Sequence, residues 1–186
     1  MMLIRSKNRV LCGIVAMMVA FLSAASFSSA QGSRYAAKGS FYRDKETSYD
    51  IFASYLTQER GLSHVFDTNL GGGSMGGGLG VNHFFSRTTG IGSDINIPNN
   101  GGSFVDSATL NLLMRWPVGK SGLAPYLSAG GGRGYQPPWQ WLGQVGAGLE
   151  FRTDAKGGLF VDARYIWGQK EPKDNLLLRA GLRLVF

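Results

Sequence analysis

Hydrophobic and polar residues alternate in eight stretches of the chain, at about 48–57, 74–84, 88–97, 104–116, 122–133, 139–152, 157–167 and 175–186. A two-residue period puts successive side chains on opposite faces of a β-strand. The last stretch is the clearest, with Leu176, Leu178, Ala180, Leu182, Leu184 and Phe186 on one face. Leu177, Arg179, Gly181, Arg183 and Val185 occupy the other. The seventh sets Leu159, Val161, Ala163, Tyr165 and Trp167 against Gly158, Phe160, Asp162, Arg164 and Ile166. The sixth sets Trp139, Trp141, Val145, Ala147, Leu149 and Phe151 against a face carrying Gln140, Gln144, Glu150 and Arg152. In the fourth, Leu110, Leu112, Met114 and Trp116 oppose Thr109, Asn111, Leu113 and Arg115. In the third, Ile91, Ile95 and Ile97 oppose a face with Asp94. In the first, Tyr49, Ile51, Ala53 and Tyr55 oppose Asp50, Phe52 and Ser54. The second and fifth are glycine-rich and weaker in phase.

The connectors also alternate. Those near 85–87, 117–121 and 153–156 are short, whereas those near 58–73, 98–103, 134–138 and 168–174 are mostly longer and more polar. Even-numbered antiparallel strands with short turns at one end and long loops at the other describe an up-and-down barrel across a membrane. The apolar faces carry aromatics near strand ends: Tyr49, Tyr55, Trp116, Trp139, Trp141, Tyr165 and Trp167. Amphipathic rings favour the membrane–water interface. The opposite faces hold Asp50, Asp94, Arg115, Glu150, Arg152, Asp162, Arg164, Arg179 and Arg183, expected to pair across a narrow lumen and plug it. Closure satisfies every backbone group without leaving an edge in lipid. The fold class read from the pattern is all-β, an eight-stranded antiparallel transmembrane up-and-down β-barrel over 46–186. A soluble lipocalin-like barrel would also explain the strands, but it accounts less well for the end of the chain.

Composition sharpens this picture. Glycine supplies 28 of 186 residues, which disfavours a helical bundle. Net charge is +7, and three of the positives, Arg5, Lys7 and Arg9, precede an apolar run from Val10 to Leu22. With Ser28-Ser29-Ala30 after it, this reads as a signal peptide over 1–30, cleaved after Ala30. The alternative is an uncleaved membrane anchor. Without that segment the basic excess is mild, and nucleic acid is not expected as a partner. Residues 31–45 are polar and small, expected to form a flexible periplasmic lead. Cys12, the only cysteine, lies within the signal segment, so no disulfide or cysteine metal site is expected in the exported chain.

Candidate chemistry is sparse. His64 and His83 are the only histidines, and the topology sends them to opposite ends of the barrel. No shared metal site and no cofactor are expected. Ser63, His64 and Asp67 adjoin in the first long loop, a local coincidence that falls short of a catalytic triad. The glycine runs 71–73 and 76–78 lack the Gly-Lys-Ser/Thr ending of a phosphate loop. Arg60, Lys170 and Lys173 in the long loops are candidates for contact with lipopolysaccharide phosphates.

The final stretch, Leu176 to Phe186, together with Gly76–Phe85, Ala124–Gly132 and Gly146–Arg152, resembles the small eight-stranded bacterial outer-membrane β-barrels, the broad porin-like β-barrel-domain group. The resemblance implies residence in the outer membrane after export. It also implies that the terminal Phe186 is an assembly signal read by the barrel-assembly machinery. It further implies contact with outer-membrane lipid, and a monomer is expected. It does not fix an activity. The expected role is non-enzymatic, either structural or binding through the outer loops. The alternatives are a small-solute channel with a narrow, anion-leaning lumen and, further off, a lipid acyl hydrolase.

Overall fold

Eight β-strands follow one another: β1 (Glu46–Leu56), β2 (Ser74–Phe84), β3 (Thr89–Pro98), β4 (Ser107–Arg115), β5 (Leu123–Gly134), β6 (Gln140–Arg152), β7 (Gly157–Gly168) and β8 (Asn175–Val185). The structure is a computed structural model and describes residues 41–57, 73–98, 106–135, 139–169 and 175–186. Every strand pairs antiparallel with its sequence neighbour, and β8 pairs with β1 to close the barrel. The strands fall where the alternation predicts them, with ends displaced by a few residues.

Closure rests on the β1–β8 seam. It runs from Ser48 opposite Val185 to Leu56 opposite Leu177, and it places Asp50 directly opposite Arg183. Three short connections, at 85–88, 116–122 and 153–156, sit at the end where β1 begins and β8 finishes. The other four connections join strand ends at the opposite end, and the first of them, between Leu56 and Ser74, is the longest. The expected first-loop residues Arg60, Ser63, His64 and Asp67, and also Lys170 and Lys173, lie outside the described residues, as do the expected signal segment and residues 31–40.

The two faces are inverted relative to a water-soluble barrel. Ile51, Leu79, Leu110, Leu112, Leu159, Val161 and Leu182 point outward and are 51–63% exposed. Asp50, Asp94, Arg115, Glu150 and Arg152 point inward and are at most 2% exposed. A soluble protein rarely shows so continuous an apolar surface. Acyl chains solvate it in a membrane barrel. Leu176 keeps the outward phase expected of it but is covered, at 6% exposure. It sits at the rim, opposite Tyr165 of β7, and its carbonyl accepts from the Thr57 amide at the end of β1.

The lead also differs from expectation in its last residues. Tyr42 is buried at 3% exposure, not part of a flexible tether. Its ring turns into the barrel mouth, where it offers its π face to the guanidiniums of Arg115 and Arg152.

Candidate functional site: the interior charge network

Strand parity fixes which side chains enter the lumen. Glu46, Ser48 and Asp50 follow one another up β1, Arg152 and Glu150 up β6, and Arg183 and Arg179 up β8. All nine charged residues expected inside are there, and each is buried. Glu46 joins them. It lies two residues before the stretch that the alternation marks as the first strand, in one phase with Ser48 and Asp50.

The network forms two clusters. At the short-turn end, Glu46 accepts from Arg115 Nη1 at 2.8 Å and from Arg152 Nη1 and Nη2 at 2.8 and 2.6 Å. Arg152 Nε donates to Glu150, whose other oxygen accepts from Arg183 Nη1 at 2.6 Å. Arg183 then grips Asp50 with two bonds, Nε to Oδ1 at 2.8 Å and Nη2 to Oδ2 at 2.7 Å. Asn82 adds a third donor to Asp50 at 2.9 Å. Nearer the loop end, Arg179 holds Asp162 with two bonds and reaches Asp94 at 3.0 Å. Arg164 Nη1 donates to Asp94 at 2.6 Å, Asn111 donates to it at 2.8 Å, and the Tyr126 hydroxyl donates to Asp162 at 2.7 Å.

Each cluster is charge-balanced. The first holds Glu46, Asp50 and Glu150 against Arg115, Arg152 and Arg183; the second holds Asp94 and Asp162 against Arg164 and Arg179. Without Glu46 the lumen would carry one surplus positive charge, which is what made it look anion-leaning from sequence. Two aromatic rings bridge the clusters. Phe160 lies 5.1 Å from the Arg183 guanidinium and 5.6 Å from that of Arg179. Phe52 meets Phe160 edge-on at 6.3 Å and lies 4.5 Å from Arg179. Cation–π contacts of this kind strengthen when desolvated.

No family profile matches the chain, and no curated protein matches it in sequence. Its structure does have likenesses. The N-terminal β-barrel domain of Pseudomonas aeruginosa OprF is similar at a TM-score of 0.54 and 12% identity, covering 77% of this chain and 99% of that one. A de novo designed transmembrane β-barrel is similar at 0.52 and 14%, covering 77% and 97%. Ail, the attachment invasion locus protein of Yersinia pestis, is similar at 0.50 and 16%, covering 77% and 99%. The fold is that of the small eight-stranded outer-membrane barrels.

In such a barrel the aromatics at the two ends of the outer face acquire a level. Tyr49, Trp139, Trp141 and Trp167 are exposed, while Tyr55, Trp116 and Tyr165 are half-buried. Tyr49, Trp116 and Phe186 mark the short-turn end, and Phe186 packs edge-on against Tyr49 at 5.4 Å. Tyr55, Trp139, Trp141, Tyr165 and Trp167 mark the loop end. His83 faces outward near the short-turn end, its Nδ1 3.0 Å from Thr47 Oγ1 and its ring edge-on to Phe85.

The short-turn mouth is covered by the chain preceding β1. The Tyr42 ring lies 4.3 Å from the Arg152 guanidinium and 4.8 Å from that of Arg115. Its hydroxyl donates to the Gly122 carbonyl at 2.6 Å, and the Phe41 carbonyl accepts from Arg152 Nη1 at 2.8 Å. Asp44 accepts from the Arg87 amide at 2.7 Å, tying the segment to the β2–β3 turn. Lys45 makes the bend into β1 with a φ of 54°, inside the left-handed region.

Burial pushes the Tyr42 phenol above its ordinary range, reinforced by the Glu150 carboxylate and opposed by Arg152, Arg115 and Arg183. A phenol whose pKa is raised on folding contributes stability that is whole below about pH 10, the unfolded value, and lost as pH rises toward the folded one. Tyr42→Phe is therefore expected to cost about 0.5–1.5 kcal/mol at pH 8, the worth of one hydrogen bond. It should also flatten the alkaline fall in stability. Denaturant unfolding in vesicles between pH 8 and 11 checks this; parallel declines in the two proteins would count against it.

Proposed function

We propose that this protein is a non-enzymatic, non-conducting barrel of the bacterial outer membrane, whose rigid body serves as a scaffold for the loops at its outer end. The observation that carries this reading is the lumen: two neutral ionic clusters, bridged by Phe52 and Phe160, fill it from Glu46 to Asp94. Eight strands leave room for little more than packed side chains. A conduit also needs sites that bind ions weakly and release them. Here each buried carboxylate is already neutralised by a fixed guanidinium, and Tyr42 covers the mouth below.

The outer-membrane location is supported by the outer face and by the pattern of residues 1–30. The apolar belt between aromatic levels matches a bilayer, and the basic-apolar-small pattern of 1–30 directs export. Phe186, just after β8, is 77% exposed, which supports reading it as the assembly signal that the resemblance implies. A closed barrel leaves no strand edge for a second copy to pair with, which supports reading the protein as a monomer.

Planar bilayers provide the test. Purified protein is expected to insert without steady current at either polarity. A sustained ohmic current that scales with added protein would overturn the plugged-lumen reading in favour of a narrow channel. Acyl release from labelled phospholipid would overturn the non-enzymatic one.

A further inference from the structure

The outer face of the strands carries a single formal charge. Among the described Asp, Glu, Lys and Arg residues of the eight strands, only Arg133 points outward. It stands near the loop end of β5, opposite Trp141 of β6 on one side and Ala108 of β4 on the other. Its guanidinium carbon lies 5.3 Å from the Trp139 ring centre and 5.9 Å from that of Trp141. Both indoles are exposed, at 58% and 64%. Within the lumen, five arginines all find carboxylates. The Arg133 side chain makes no hydrogen bond or ion pair to any described residue; its contacts are the two indole rings.

A charge facing lipid is costly at mid-depth and nearly free at the interface. The neighbouring indoles fix the level as the headgroup layer, where tryptophan concentrates. A cation–π contact uses the charge of the guanidinium and leaves its N–H donors available to another acceptor. Their planar fork matches the geometry of a phosphate. The small Ala108 leaves one flank open, while the indoles hold the arginine in place and reduce the entropy lost on binding.

We propose that Arg133, in cation–π contact with Trp139 and Trp141, binds a phosphate of the glycolipid of the outer leaflet, lipopolysaccharide. The choice of lipid rests on the outer-membrane reading above, because the loop end then faces the leaflet built from phosphorylated glycolipid. The site lies on the outer face of the barrel wall.

Native mass spectrometry of the mature protein in detergent, with lipid A, phosphatidylglycerol or phosphatidylcholine added, tests the proposal. Wild-type protein is expected to retain one lipid A in preference to either phospholipid. Arg133→Gln should weaken that retention about tenfold, the loss of one charge-assisted bond. Trp141→Ala should weaken it by less. Arg133→Gln leaves the lumen untouched, so its heat-dependent gel shift should match wild type. Equal retention by Arg133→Gln, or no preference for lipid A over phosphatidylglycerol, in a heat-modifiable barrel would overturn the site alone. A wild-type chain that stays in water without a gel shift would overturn the membrane reading and the site with it.

Discussion

Arg183→Met is expected to lower the unfolding free energy in vesicles by about 3–5 kcal/mol, the cost of leaving buried charges without their partner. Arg183 sits directly across the closing seam from Asp50 and binds it with two parallel bonds. Its third donor holds Glu150, so it also joins β8 to β6 across the lumen. Methionine keeps much of the volume and removes all three bonds. Asp50 is then left with Asn82 as its remaining side-chain donor from the network, at 1% exposure. Glu150 suffers less, because Arg152 still donates to it. The loss should therefore come mainly from Asp50, and Arg183→Met combined with Asp50→Asn should recover about half of it. Guanidinium unfolding followed by tryptophan emission measures both variants. A single-variant loss under about 1 kcal/mol, the scale of an exposed ion pair, would show that the pair does not hold the seam.

The barrel was readable from sequence because lipid outside and packed charge inside impose opposite demands on alternate residues. Ile51 beside Asp50, and Leu182 beside Arg183, report both environments at once. Which acid meets which arginine was not readable. Partners such as Asp50 and Arg183, or Asp94 and Arg164, are far apart in sequence and meet only through barrel closure and stagger. Glu46 lay one period below the first strand's expected start, and its omission altered the apparent charge of the lumen. Tyr42 gave no periodic signal, because it belongs to a segment without strand geometry that is held by Gly122 and Arg152. Arg133 stood in the glycine-rich fifth segment, where weak phase concealed that it faces outward. Aromatic parity was readable, but exposure was not: Tyr55 and Tyr165 are half-buried at a rim where Leu176 is also covered.

Gly181→Val should prevent closure or destabilise the barrel by about 3 kcal/mol or more, at or beyond the upper end for overpacking. Gly181 lies on the inner face of β8 between Arg179 and Arg183, with Phe52 of β1 opposite it on one side and Phe160 of β7 on the other. Those two rings meet over the space that a side chain at 181 would occupy, and both arginines pack on them. A Cβ at this position would run into the Ile51 carbonyl oxygen and approach Phe52 Cβ at 2.7 Å. The first of these is backbone of the closing seam, which can yield only by opening strand pairing. The rings would also be displaced, removing the bridge between the two ionic clusters. Gly181→Ala should already cost about 1–3 kcal/mol. The neighbouring Ala180 faces lipid, where added methyl groups meet mobile acyl chains instead of a packed wall. Ala180→Val is thus expected to refold with wild-type yield and gel shift, while Gly181→Val loses the shifted band. Equal behaviour of the two variants would mean that the lumen is loose enough to absorb a branched side chain, and the packed-interior account of this barrel would fail with it.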